Sequence, residues 1–311
     1  MYDLKKMITN TIEYHYAKQQ CNSNFINIGY GVDDNYVRYM ATSIVSFILN
    51  NKYRVFNIHV VADDLSTESK EKIRNIAEFY NINITIYEVN IENFRILKRS
   101  DIYPLSIYFR FILIDMLDEG TLIYIDSDII CLKDASSLFD VNLEDYTVGA
   151  VLDLKRTINK RTKKLNLKSK KYFNSGMLII DLKTWHEQRL SKKIINQLKV
   201  CDKYVFPDQD ILNIVLEGNV KFISKIFNCI DISGISIREV VLLHFANNPK
   251  PWNRYWKYNP IYSTETKDLY NYYEKYAFYN KSLKKKKISL KIIIKWIMKY
   301  FISKIYNFNK Q

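Results

Sequence analysis

Glycine and proline are scarce in this chain, at 7 and 5 of 311 residues, which excludes a fibrous or low-complexity protein. The four cysteines, Cys21, Cys131, Cys201 and Cys229, form no CxxC pair and no zinc-like spacing. Cys131 lies in an apolar stretch and reads as a small core residue, so a reduced, cytosolic setting is expected. No uninterrupted apolar run reaches 18 residues, so no membrane-spanning helix is expected. Met1–Gln20 carries charges throughout and has no apolar block, unlike a secretory signal peptide. Acids are missing altogether from residues 281–311, which hold ten lysines.

That last absence explains the charge. The formal net charge is +14, and removing those ten lysines leaves 14 − 10 = +4 for the body. A basic tail suits nucleic acid or an anionic membrane. The chain has no aromatic stacking motif, zinc spacing or other nucleic-acid module, so no nucleic-acid partner is expected. In the tail, Lys291, Lys295 and Lys299 recur every four residues among Ile292, Ile293, Ile294, Trp296, Ile297, Met298, Phe301, Ile302 and Ile305. With the Lys284–Lys287 run before it, this pattern describes an amphipathic helix lying on a membrane surface, with Trp296 suited to the interface. The competing reading is a helix that packs on the protein's own body.

Apolar residues make up 48% of the chain and aromatics 14%, ample for a core. Residues 1–24 read as a polar arm that a helix would accommodate. From Phe25 apolar strands alternate with helices. Strands are expected at Phe25–Tyr30, Phe56–Ala62, Ile82–Val89 and Thr121–Ile125, and helices at Tyr36–Leu49, Ser66–Tyr80 and Ile107–Leu117. Such repeats predict an α/β domain with a mainly parallel sheet flanked by helices. Further strands are expected at Val148–Asp153, Met177–Asp181 and Val241–Phe245, and a helix at Asp208–Leu216. Lys155–Lys171 holds nine Lys or Arg and no acid, and reads as a surface loop. The domain is expected to run from 25 to 280, and the tail from 281 to 311.

The strongest single feature is Leu122-Ile123-Tyr124-Ile125-Asp126-Ser127-Asp128. A buried strand ends on two carboxylates one residue apart, at the edge where parallel sheets bind ligands. Such a pair suits a hard divalent cation that neutralises a diphosphate. Capping of the strand end is the plainer alternative, because the DxD pattern is common.

The chain resembles glycosyltransferase family eight, particularly bacterial lipopolysaccharide galactosyl- and glucosyltransferases. The likeness rests on motifs in the family's order. They are Asp33-Asp34-Asn35-Tyr36, Ser106-Ile107-Tyr108-Phe109-Arg110, the Asp126-Ser127-Asp128 turn, Phe173-Asn174-Ser175-Gly176-Met177, Asp208-Gln209-Asp210-Ile211-Leu212-Asn213, His244 and Lys250-Pro251-Trp252. The resemblance implies a GT-A fold and retaining transfer from a UDP-hexose with Mn2+, or Mg2+, to a glycan or glycolipid acceptor. Such an enzyme would be cytoplasmic, on the inner face of the inner membrane. Asp126, Asp128 and His244 match the metal ligands, and two carboxylates with an imidazole suit Mn2+ better than Ca2+.

By the same resemblance, Asp33 and Asn35 match the residues that bind the uracil edge, and Tyr36 the ring stacked on its face. Gly31, Ser127 and Lys250 join the donor-binding set, Lys250 at the diphosphate, where a cation favours the departing charge. Arg110, Asp153, Asn174, Asp208 and Gln209 match positions around the donor sugar. Gln209 falls near the anomeric carbon, but an amide is a poor nucleophile. Front-face attack assisted by the leaving UDP is the more economical account, with Asp208 and Asp153 as fallback nucleophiles. Asp33 or Asp34 also suits a helix cap, as does Asp208. The family often has a glycine between the histidine and lysine, whereas Phe245-Ala246-Asn247-Asn248-Pro249 fills that stretch here. An Asn in the left-handed region would preserve such a loop. The basic stretch 155–171 falls where the family shapes its acceptor site. An inactive nucleotide-sugar-binding protein is the alternative, and a nucleic-acid-binding protein a more remote one.

Overall fold

A computed structural model of the chain describes residues 4–17, 25–90, 104–200, 204–279 and 288–308. Cys21, Cys201, the expected boundary at Asn280 and the Lys284–Lys287 run lie outside them. In chain order the strands and helices begin with β1 (Ile8–His15), β2 (Ile26–Asp33), α1 (Val37–Asn50), β3 (Phe56–Asp63), α2 (Thr67–Tyr80) and β4 (Asn83–Val89). Then follow α3 (Phe109–Met116), β5 (Thr121–Ile125), β6 (Ile129–Cys131), α4 (Ser136–Phe139), β7 (Val148–Leu152), α5 (Lys155–Leu165) and β8 (Phe173–Asp181). The last are α6 (Leu182–Glu187), α7 (Leu190–Val200), α8 (Pro207–Val215), β9 (Val220–Phe222), β10 (Leu242–His244), α9 (Thr264–Tyr276) and α10 (Leu290–Phe308).

Among the described residues, the main sheet has the order β1-β4-β3-β2-β5-β8-β7-β9. Strands β4, β3, β2 and β5 run parallel, and β7 pairs parallel with β9. The β1–β4, β5–β8 and β7–β8 pairings are antiparallel, so the sheet is mixed around a parallel centre. Ile28, Tyr30 and Val32 of β2 pack with α1 and α2 on one face. Leu122 and Tyr124 of β5 pack with α3, α7 and α8 on the other. A third cluster gathers Leu243, Phe245, Trp256, Tyr262 and Tyr270 around the small β6–β10 sheet.

Helix starts follow their cap residues. Ser66 accepts from the Ser69 amide at 3.2 Å and opens α2, as expected. Asp33, the last residue of β2, accepts from the Tyr36 amide at 3.1 Å and caps the short Asp34–Tyr36 turn leading into α1. Asp34 instead accepts from the Ser66 amide and hydroxyl, both at 3.0 Å.

Three expectations change. Part of the polar arm is a strand, β1, at the sheet edge, whose partly buried Ile8, Ile12 and Tyr14 mark its inner face. Its polar partners face solvent, so composition alone disguised the alternation. The basic stretch is not a loop at its start but helix α5. Ile158, Arg161, Thr162 and Leu165 form its inner face at helical spacing. The fully buried Arg161 sits there because Asp210 of α8 receives its Nε at 2.9 Å and its terminal nitrogen at 2.5 Å. The Tyr172 hydroxyl and the amides of Val205 and Phe206 also donate to Asp210. An ion pair therefore does what an apolar stripe does in an ordinary helix.

The third change concerns α10. Ile293 is buried and Trp296, Ile297 and Tyr300 are half-buried, with the rings of Trp296 and Tyr300 6.3 Å and 6.0 Å from those of Tyr255 and Tyr258. Trp296 thus faces the protein's own body. Leu290, Ile294, Met298, Phe301 and Ile302 remain exposed beside Lys291, Lys295 and Lys299. No helix among the described residues is long and apolar enough to cross a membrane.

Removing one partner of a buried ion pair strands the other. We expect Asp210→Ala to cost about 3–5 kcal/mol in urea unfolding, because Arg161 loses its bidentate acceptor. Arg161→Ala should cost less, since Asp210 keeps the Tyr172 hydroxyl and two amides. Equal losses would show that the donors from Tyr172, Val205 and Phe206 contribute nothing.

Candidate active site

Strand β5 ends at Ile125, opposite Met177 of β8, so the residues just before Met177 lie beside the turn that follows β5. The Asp126 amide donates to the Gly176 carbonyl at 2.7 Å, and the Ile129 amide to the Asp126 carbonyl at 3.1 Å. This turn feeds β6, whose Ile129 pairs with His244 of β10. Two chain segments more than a hundred residues apart are thereby locked side by side. Asp126, Asp128 and His244 come together with one ligand atom from each within 4.8 Å of the others. His244 Nε2 is 3.2 Å from Asp128 Oδ1.

The cluster fits a divalent cation in both chemistry and space. His244 Nδ1 is engaged at 2.8 Å with Asn228 Oδ1, which leaves Nε2 to serve as a ligand. Gly176 has no side chain where a Cβ would fall 2.4 Å from His244 Cε1 and 2.9 Å from Asp126 Oδ2. Burial pushes the Asp126 carboxyl above the usual range, and the neighbouring Asp128 charge adds to this against the pull of Arg110 and His244. Burial also opposes the charge on Asp128, but Lys250 and His244 outweigh it and hold that carboxyl well below the usual range. Two half-buried acids on one turn are forced apart in this way because their charged partners differ.

The sugar-pocket candidates surround the other side of Asp126. Arg110, 3% exposed, reaches Asp126 at 3.0 Å and Asp208 at 3.1 Å with one terminal nitrogen, and donates to the Ser175 carbonyl at 2.7 Å with the other. Asp208 also accepts from the Ser175 hydroxyl at 3.1 Å. Gln209 Oε1 accepts from the Ser175 amide at 3.0 Å and Asn174 Nδ2 at 3.2 Å. Its Nε2 donates to Asp153 Oδ2 at 2.9 Å. Strand β8 starts at Phe173, four residues earlier than expected, so Asn174, Ser175 and Gly176 stand on a strand.

The nucleoside candidates occupy the end of β2. Asp33 is half-buried and Asn35 exposed, and Tyr36 lies edge-on to Tyr39 with centroids 5.3 Å apart. Tyr39 in turn stacks on Trp252 at 3.8 Å. The ring of Tyr36 is partly exposed, and the shielding it does have, followed by the nearby Asp128 charge, pushes its phenol up. Gly31 has no side chain where a Cβ would meet Phe109 Cβ at 2.9 Å, so it lets the Leu105–Tyr108 turn approach β2. Ser127 is buried between the two acids. Lys250 Nζ donates to Asp128 Oδ2 at 2.6 Å and to the Phe245 carbonyl at 2.5 Å. The loop before it contains a cis Asn248–Pro249 peptide, and neither Asn247 nor Asn248 takes the positive φ expected of a glycine substitute.

The acids, His244, Lys250 and the sugar-pocket residues therefore form one connected site. Sequence reasoning gave no role to Ser175, Gly176 or Asn228. A glycine inside an otherwise apolar strand is a signal of close approach. Asn228, in an irregular stretch before β10, carries no such mark.

Comparison with known proteins identifies the family and the fold. The family model described as glycosyl transferase family 8 matches residues 27–256. The lipopolysaccharide 1,2-glucosyltransferase of Escherichia coli is 31% identical over 252 residues, covering 75% of this chain and 74% of that protein. The lipopolysaccharide 1,3-galactosyltransferase of Salmonella typhimurium is 29% identical over 275 residues, covering 82% and 80%. Among solved structures, the galactosyltransferase LgtC in complex with donor and acceptor sugar analogs superposes with a TM-score of 0.68 at 22% identity, covering 81% of this chain and 96% of that one. The GT-A-like α/β fold is the one it shares. The matched segment contains the acid turn, both sugar-pocket elements and His244, and the chain belongs to glycosyl transferase family 8.

Proposed function

We propose that this protein transfers a hexose, galactose or glucose, from a UDP-sugar to a lipopolysaccharide, lipooligosaccharide or related surface glycan, with retention at the anomeric carbon. The observation that carries the proposal is the Asp126–Asp128–His244 cluster with Lys250 against it, at the carboxyl end of the sheet. Its kinship with lipopolysaccharide glucosyl- and galactosyltransferases supports the acceptor class. The donor set suits Mn2+, with Mg2+ as a substitute. A bound cation of this kind neutralises charge on a diphosphate leaving group.

The chain's own residues do the rest. Lys250 supplies a fixed positive charge beside the acids, placed to favour a departing diphosphate. Arg110 holds Asp126 and Asp208 in register through its planar fork. Asp208 and Asp153 offer carboxylates to sugar hydroxyls. Gln209 Oε1 already accepts from an amide and a side-chain nitrogen, which leaves little lone-pair density for attack on a sugar carbon. That supports front-face transfer, with the leaving diphosphate taking the acceptor's proton. Asp33 and Asn35 at the end of β2 offer polar groups to the uracil edge, and Tyr36 an aromatic ring to its face. The exposed lysines and Arg156 of α5, which begins just after Asp153, would attract an anionic acceptor. The exposed apolar stripe of α10 and its flanking lysines would hold the enzyme on the cytoplasmic face of an anionic membrane.

Asp126→Ala, Asp128→Ala and His244→Ala are each expected to lower UDP-hexose turnover on the order of a hundredfold or more. Gly176→Ala should do so although it removes no ligand side chain, because its Cβ would displace His244. UDP release with and without chelator is the measurement, and full activity in chelator would sink the metal reading. Calorimetry with UDP, GDP and CDP in Mn2+ should show preference for UDP, and tighter binding of GDP or CDP would reassign the base pocket. Replacing Lys291, Lys295 and Lys299 with Glu should abolish co-sedimentation with anionic liposomes at low salt and leave UDP release unchanged. Undiminished liposome binding would show that α10 is not the anchor.

A further inference from the structure

Between the metal cluster and the sugar pocket runs an unbroken file of side-chain amides. Asn228, 1% exposed, faces His244 Nδ1 with Oδ1 at 2.8 Å and donates from Nδ2 to Asn174 Oδ1 at 2.9 Å. Asn174 Nδ2 donates to Gln209 Oε1 at 3.2 Å, and Gln209 Nε2 to Asp153 Oδ2 at 2.9 Å. An amide of this kind has one accepting and one donating end, and reversing it exchanges the two. The backbone decides which way these point. The Gly176 amide donates to Asn174 Oδ1 at 3.0 Å, and the Ser175 amide to Gln209 Oε1 at 3.0 Å. Those atoms must therefore be acceptors. Asn228 must then present its nitrogen to Asn174 and its oxygen to His244, so His244 must donate from Nδ1. The file ends on the Asp153 carboxylate, which can only accept when ionised. Every link points the same way.

We propose that Asn228 is a positioning residue that fixes the tautomer of His244, with its Nε2 lone pair directed at the cation site, and that it couples this site to the sugar pocket through Asn174 and Gln209. The inference rests on the metal reading given above. Outer partners of a metal-bound imidazole set both its ring orientation and its basicity. Here that partner has no freedom of its own, because two backbone amides and a carboxylate determine its orientation from the far end. The Asn174-Ser175-Gly176 segment of β8 contributes at three consecutive residues. Asn174 supplies a link in the file, Ser175 and Gly176 supply the orienting amides, and Gly176 also leaves room for the imidazole.

Two substitutions on the full-length chain separate the two halves of this role. Asn228→Leu keeps the branched shape and removes the acceptor, so Mn2+ affinity, read by calorimetry with the metal alone, should fall about 10- to 100-fold. Asn228→Asp keeps an acceptor for His244 Nδ1, so Mn2+ affinity should stay within about threefold of the unsubstituted protein. Its second oxygen would meet Asn174 Oδ1, acceptor against acceptor, and Asn174 cannot reverse without losing the Gly176 amide. UDP-hexose turnover should therefore fall about tenfold or more although the cation still binds. This split between metal affinity and turnover is one that a merely structural asparagine would not produce, and thermal melts of both variants would report any loss of fold. If Asn228→Leu, or a smaller Asn228→Ala should the leucine variant fail to fold, binds Mn2+ as tightly as the unsubstituted chain, the inference is overturned while the metal reading stands. If Asn228→Asp turns over normally, the coupling to the sugar pocket is overturned. A chain that binds no divalent cation even before substitution overturns the metal reading and this inference with it.

Discussion

The interaction on which this molecule depends is repulsion between two half-buried carboxylates. Asp126 and Asp128 stand on one tight turn at the end of β5, and burial penalises the charge on both. Left alone, such a pair would shed a charge or open the turn. The surrounding structure supplies compensation instead. Arg110 comes from α3 and Lys250 from the loop after β10. Each donor is delivered by a different element, so the turn is held by most of the domain at once. The proposal of a metal at this turn rests on the residue types and on the convergence of one ligand atom from each of Asp126, Asp128 and His244.

Compensation of this sort demands close approach, and the structure meets it by omitting side chains. Gly176 and Gly31 both stand where a Cβ would collide, the first with the imidazole and the second with the turn before α3. Around them the polar groups are satisfied almost entirely by one another. Asp208 is held by Arg110 and Ser175, Gln209 by Ser175, Asn174 and Asp153. Electrostatic preorganisation takes this form: dipoles are fixed before the substrate arrives and need not reorganise during the reaction.

How much of this was legible in the sequence depended on whether a local pattern encoded it. The strands β2 to β5 and the helices α1 and α2 announced themselves through apolar periodicity, and the acid turn through its position after an aliphatic run. The grouping of His244 with acids far away in sequence came only from the ordered set of motifs, since no local signal joins β10 to β6. Helix α5 was missed because its inner face is held by Arg161, and a cation read from composition alone looks solvated. Its partner Asp210 lies far along the chain on α8, and only the fold brings them together. Strand β1 was missed because an edge strand shows just one apolar residue in two or fewer. Asn228 was invisible for a deeper reason: its role consists wholly of hydrogen bonds to residues remote in sequence.

The same hydrogen bonds bear on how transfer proceeds. Three groups near the sugar pocket have been considered as nucleophiles, and none stands unengaged. Asp208 accepts from Arg110 and Ser175 at one oxygen, Oδ2, Asp153 is held at its two oxygens by Gln209 and the Leu154 amide, and Gln209 accepts from Ser175 and Asn174. A charge-assisted hydrogen bond stabilises a carboxylate and thereby weakens it as an attacking group. For Gln209 to attack it would also have to release its place in the amide file, with a cost felt at Asn174 and, one link further, at Asn228 beside His244. A pocket meant to form a covalent sugar adduct gains nothing from tying down its nucleophile at both ends. A pocket meant to hold a sugar still while an acceptor approaches from the side of the leaving diphosphate gains from every one of those bonds. The proposal of front-face transfer therefore rests on where the lone pairs of this site are directed.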